Sequence, residues 1–179
     1  MPPIHDHLAD LSMTVESDDG LISSRISFGS PPTVSIDPMV GPDSTAQDLG
    51  DELEDLINET ISGYQSKIDA LTGGRPLPGR IPNPIPIALQ RRIDIAEAID
   101  AYQSQTESPR RFVIIDWKGA GDIALALKSD ILDRLSIHEL VTEVNAALAT
   151  ATKEYATFTK SVYKQHYTYD RFGRHRRDT

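Results

Sequence analysis

The sequence predicts an α+β protein made of two β-hairpin-plus-helix units, with a long helix towards its C-terminus. Three observations carry this. A hairpin pattern followed by an amphipathic helix occurs twice, over about 21–71 and again over 112–162. The strand cores match at a constant offset of 89, pairing Ile26 with Ile115, Val34 with Ile123 and Ile36 with Leu125. The helices match at a slightly different offset, Glu52-Leu53 with Glu139-Leu140 and Ile57 with Val144. Internal similarity of this kind changes what counts as one structural unit. Each unit leaves a sheet face that needs cover, so the two halves are expected to pack as one pseudo-symmetric body, a pseudo-dimer within one chain. Such a repeat suits a binding scaffold better than a single enzyme domain.

The elements follow in order. Residues 1–10 are polar and read as loose, and 13–16 alternates weakly. Asp18-Asp19-Gly20 reads as a turn, 21–28 as a strand, Gly29-Ser30-Pro31-Pro32 as a break and 33–37 as the returning strand. Pro38 ends that strand. Ser44 with Gln47 has the spacing of a capping box for the helix that follows. Leu49, Leu53, Leu56, Ile57, Ile61, Tyr64, Ile68 and Leu71 form its apolar stripe, and Gly73-Gly74 stops it.

Pro76, Pro78, Pro82, Pro84 and Pro86 then predict an extended, semi-rigid spacer over 73–86. This divides the chain into a first unit at 1–72, the linker, a second unit at 87–162 and a tail at 163–179. The second unit opens with an amphipathic helix over about 87–103, and 104–110 reads as a polar break. Strands are predicted over 111–117 and 122–127. Ser136 with Glu139 makes a second capping box. The helix it opens carries a seam of Ile137, Leu140, Val144, Leu148, Ala151, Tyr155, Phe158 and Val162. That seam is longer than one small sheet covers. Tyr155, Phe158 and Val162 are therefore expected at an interface, with a second copy of the chain or with a protein partner.

Composition bounds the function. The chain has 179 residues, 39% apolar, 25% charged and no cysteine, which excludes a disulfide framework and thiolate metal sites or nucleophiles. No apolar run has the length needed to span a bilayer, and the N-terminus lacks the pattern of a secretory signal, so no membrane association and a cytoplasmic location are expected. The formal net charge is −9, unevenly spread: residues 160–179 carry +4, which leaves −13 for the rest. The basic residues of that end are Lys160, Lys164, Arg171, Arg174, Arg176 and Arg177, interleaved with Tyr163, Tyr167, Tyr169 and Phe172. Cations neutralise phosphates and aromatic rings stack on bases, so the pattern suits nucleic acid. It equally suits a partner's acidic groove or a solubilising, disordered end.

No catalytic constellation emerges, and no cofactor or metal is expected. Gly119-Ala120-Gly121-Asp122-Ile123-Ala124 has the spacing of a dinucleotide fingerprint, which requires a helix opening at the last glycine. Ile123 to Leu127 alternates like a strand instead, which favours a Gly-rich hairpin turn. Trp117-Lys118-Gly119 has the W-x-G form of small helical-hairpin proteins of type VII secretion systems, but it lies between two strands, where Trp117 reads as a cross-strand or core aromatic. His5 and His7 offer only two ligands on a loose terminus, and His138 falls in a helix's first turn, where exposure is expected.

Met13-Thr14-Val15-Glu16-Ser17, Gly20-Leu21-Ile22, Val34-Ser35-Ile36-Asp37-Pro38 and Asp51-Glu52-Leu53-Glu54-Asp55-Leu56-Ile57 resemble, in that order, the core of the YbaB/EbfC family of nucleoid-associated proteins. The second half resembles the same core with its leading helix, and Ser129–Ser136 resembles the family's turn into the closing helix. The chain departs from the pattern in lacking room for a leading helix in the first copy, and in placing Leu127-Lys128 where I-D-P stands. The resemblance implies a dimer-like, non-enzymatic protein that binds DNA with little sequence preference. The alternative expectation is a protein-binding accessory factor, a chaperone or adaptor beside a type VII secretion system.

Overall fold

The computed structural model describes residues 10–40, 44–73 and 85–167. Most of the linker, residues 1–9 with His5 and His7, and residues 168–179 with Arg171, Arg174, Arg176 and Arg177 lie outside the described residues. The fold is α+β. Strands β1 (Ser12–Glu16), β2 (Ile22–Ser27) and β3 (Thr33–Ile36) form one antiparallel sheet in the order β1-β2-β3. Helix α1 (Ala46–Thr72) follows. The second half begins with α2 (Ile87–Asp100) and continues through β4 (Gln103–Glu107), β5 (Val113–Lys118) and β6 (Asp122–Leu127), a second sheet in the order β4-β5-β6. A single turn, α3 (Ile131–Arg134), leads into α4 (Ile137–His166).

Each predicted hairpin is thus two strands of a three-stranded sheet, the central one and one edge. The stretch read as a polar break, 104–110, contains most of β4, which pairs with β5 from Gln103 opposite Lys118 to Glu107 opposite Ile114. Its sequence, QSQTE, carries no apolar residue because it is an edge strand with one face in water. Thr106, buried on the other face, satisfies its hydroxyl by donating to the Glu154 carboxylate at 3.0 Å. The predicted Ser44 cap also shifts by one residue. Thr45 is the N-cap, its hydroxyl accepting from the Asp48 N–H at 3.1 Å while Asp48 accepts from the Thr45 N–H. Serine with glutamine and threonine with aspartate both fit the spacing, and the charged acceptor gains more from the positive end of the helix. The second box forms at Ser136 and Glu139 as predicted, and Gly73 closes α1 in the left-handed conformation at φ 61°. The leading helix ends at Asp100, short of the predicted Gln103, and α4 runs to His166, four residues into the segment read as tail.

The two halves interlock. Helix α1 lies on β1 and β2 of its own sheet and also against β6 of the other; α4 lies on β4 and β5 and against β3. Both contacts are made in the same way. The Asn58 side-chain amide donates to the Ile123 carbonyl at 2.8 Å and accepts from its N–H at 2.9 Å. Asn145 accepts from the Val34 N–H at 2.7 Å and donates to its carbonyl at 3.1 Å. Each primary amide stands in for a neighbouring peptide and closes a strand edge that would otherwise present unpaired backbone groups. The offsets are those of the repeat, 87 between the asparagines and 89 between Val34 and Ile123. The two clamps differ in one respect: Glu54 adds a third bond on β6, accepting from the Leu125 N–H at 2.8 Å, where the matched position on α4 is Val141.

A single hydrophobic core results. Ile22, Val34, Leu49, Leu53 and Ile57 from the first half are continuous with Ile115, Ile123, Leu140, Val144 and Leu148 from the second.

Candidate nucleic-acid interface

The C-terminal half of α4 is where sequence reasoning placed both an interface and the first cations of a binding arm. Its position is set by α2, which packs along it. Ile95 of α2 and Val162 of α4 are 6% and 3% exposed. The Tyr102 ring, just past α2, lies 4.5 Å from Phe158 and 5.3 Å, edge-on, from Tyr155, and Trp117 stacks on Tyr155 at 4.8 Å. Of the residues expected to meet another molecule, Tyr155 and Phe158 thus pack within the chain against Tyr102 and Trp117, and Val162 is buried. The seam did need cover beyond the sheet, as its length implies. Burial pushes the Tyr155 hydroxyl pKa up. Trp117 sits in the core as expected, and its Nε1 is buried without a hydrogen-bond partner, as is the Oγ of Ser104 opposite it across β4 and β5. Ring packing rather than hydrogen bonding holds this layer.

Beyond the layer the surface changes character. Lys160 and Lys164 are exposed and one turn apart on α4, and His166 stands in its last turn. Cations here also complement the negative end of the helix. Tyr163, 48% exposed, stacks on Tyr167 at 6.2 Å between ring centroids. Arg91, from the second turn of α2, reaches across to place its guanidinium 5.0 Å from the centre of the Tyr167 ring. The structure thus joins Lys160 and Lys164 to a residue that sequence reasoning missed. Arg91 carries no tail-like composition around it, and only the α2–α4 packing brings it here. The signal available was the apolar spacing of Ile95 and Ile99 on α2, which requires a partner helix.

Elsewhere, the bonded carboxylates serve structure. Glu139 caps α4 and is pushed down to about 2 by the Ser136 backbone N–H, the Arg110 guanidinium and the Ser136 hydroxyl. Glu143, buried, accepts from the Arg110 N–H at 3.0 Å and so ties the β4–β5 turn to α4. Glu52, on the exposed side of α1, is raised by burial and by the charges of Asp19 and Asp18. The Gly119–Gly121 stretch is a hairpin turn, with φ of 55° at Gly119 and 146° at Gly121, and β6 rather than a helix starts at Asp122. His138 is exposed. Among the described residues no cluster of three His, Cys, Asp or Glu side chains is placed to hold a metal ion, and no helix is long and apolar enough to cross a membrane. An open groove of about 450 Å³ runs between Asn58, Ile61, Ser62 and Gln65 of α1 and Gly121-Asp122 of the β5–β6 turn.

In comparison with known proteins, no family model, no curated protein and no solved structure matches the chain.

Proposed function

We propose that this protein is a non-enzymatic nucleic-acid-binding scaffold, a fused dimer of the YbaB/EbfC kind that engages its polymer through one cationic end. The observation that carries the reading is that Arg91 of α2 reaches Tyr167 at the end of α4 whose last turns expose Lys160 and Lys164, on a body otherwise rich in carboxylates. The matched Asn58 and Asn145 clamps support the fused-dimer part, since each helix completes the other half's sheet as a dimer partner would. Helix α1 bears seven carboxylates against Lys67 alone, so it repels phosphates, and approach must come from the other end. Arg171, Arg174, Arg176 and Arg177 continue the same cationic run beyond α4.

Gel retardation of duplex DNA at low and moderate salt tests the proposal. Binding should weaken with a log–log slope of about 0.9 per phosphate contact. Removal of residues 171–179 should abolish it without changing the melting temperature. DNA binding that resists salt and survives the truncation refutes this account. A second reading, a protein-binding accessory factor, is favoured by the open groove beside Gly121 and by the acidic α1 face. It requires no DNA retardation at any salt and a protein partner retained after nuclease treatment.

A further inference from the structure

We propose that the Tyr163–Tyr167 ring pair, with Arg91 of α2 and Lys160 and Lys164 of α4, is a stacking platform for the bases of a single-stranded nucleic acid. The inference rests on the nucleic-acid reading above and names the polymer. A surface that binds duplex DNA non-specifically needs cations alone, because the bases are already stacked on one another inside the helix. Aromatic rings presented beside cations add something only where bases are free to leave their neighbours. Here the outer ring, Tyr163, is presented, and Tyr167, half-buried and in contact with Arg91, backs it. Tyr163 is 48% exposed at the surface of the last turns of α4, and its ring lies nearly parallel to that of Tyr167, 21° apart. Among the described residues the apolar core includes neither Tyr163 nor Tyr167.

The cations are arranged around the rings rather than apart from them. Lys160 precedes Tyr163 by three residues and so lies on the same side of the helix, Lys164 adjoins it, and Arg91 covers Tyr167. A guanidinium held over a ring contributes a cation–π contact and keeps donors directed outwards for phosphate. The nearest carboxylate on α2, Asp94, accepts from Gln90 at 2.6 Å. This is an alternation of ring and positive charge over about two turns of helix, the combination by which single strands are bound with little sequence preference.

The test is fluorescence anisotropy with the full chain at low salt, using a labelled oligothymidylate and a labelled duplex of equal length. The variants are Tyr163→Ala, Tyr163→Phe and Arg91→Gln, and circular dichroism checks that each is folded. The single strand should bind more tightly than the duplex. Tyr163→Ala should weaken single-strand binding at least about fivefold and leave duplex binding unchanged, and Tyr163→Phe should restore it. Arg91→Gln should weaken single-strand binding and lower its salt slope by about 0.7. Equal effects of Tyr163→Ala on both polymers, or none on either, overturn the platform while the nucleic-acid reading stands. Failure of both polymers to bind overturns both.

Discussion

Replacing Asn145 by alanine removes the side chain that closes the edge of β3, and the cost follows from what is left behind. The amide currently accepts from the Val34 N–H at 2.7 Å and donates to its carbonyl at 3.1 Å. Val34 is 4% exposed, so water does not readily replace the lost partner. A buried backbone group left without a hydrogen bond costs about 1–3 kcal/mol, and two groups on one residue together about 2–6 kcal/mol. For a chain of this length that is a fall in melting temperature of about 4–24 °C. Asn58→Ala should cost less, because β6 keeps the Glu54 bond to the Leu125 N–H at 2.8 Å. The assay is urea or thermal unfolding followed at two probes, Trp117 fluorescence for the second half and far-UV circular dichroism for the whole. Since each helix closes the other half's sheet, both variants should still unfold in one transition with coincident probes. If both changes cost under about 0.5 kcal/mol, or if the two probes separate, the halves are not held together in this way.

Two further outcomes follow from single residues. Ser24 is wholly buried with its hydroxyl unpaired, and the matched residue of the second half is Val113, also wholly buried; Ser24→Ala should therefore raise stability by about 1 kcal/mol, read as a higher urea midpoint, and a loss would mean the hydroxyl has an unseen partner. The Glu139 carboxyl lies at about 2 in the folded chain against an ordinary value of 4.5, so its stabilising effect is complete above about pH 4.5 and is lost as pH falls towards 2. Glu139→Gln should flatten the stability profile in that window and leave no trace of its own titration; an unchanged acid limb would show that the cap does not titrate there.

Much of the fold was legible because apolar spacing carried it. The stripe from Leu49 to Tyr64 and the seam from Leu140 to Ala151 are buried as their periodicity requires. Strand β4 was not legible, since an edge strand of Gln, Ser, Gln, Thr and Glu differs little from a polar loop. The interlocking of the halves was half legible. The need for cover showed in the sequence, but the means, two asparagines on helix flanks, look like ordinary surface residues until their matched positions in the repeat are compared. The candidate site divides similarly. Lys160 and Lys164 follow from tail composition, whereas Arg91 reaches Tyr167 only through the α2–α4 contact, which no local pattern encodes.

The two halves differ most where the candidate site lies, and the differences are coupled. By the helix offset, α1 ends at Thr72, which matches Thr159, and a left-handed glycine stops it there. Helix α4 continues for seven more residues to His166. Those residues hold the buried Val162, and Tyr163, Lys164 and His166 of the last turns. The last turn of α1 has no basic residue. A dimer of identical chains repeats every surface feature under its two-fold axis. Under the proposed fused-dimer reading the chain is free of that constraint, so one half can lengthen its helix and gather cations while the other remains acidic. That reading gives a body with one end for a polyanion and, among the described residues, no second such end related to it by the repeat. In this reading, the asymmetry of the repeat, more than its similarity, is what gives the chain a direction in which to bind.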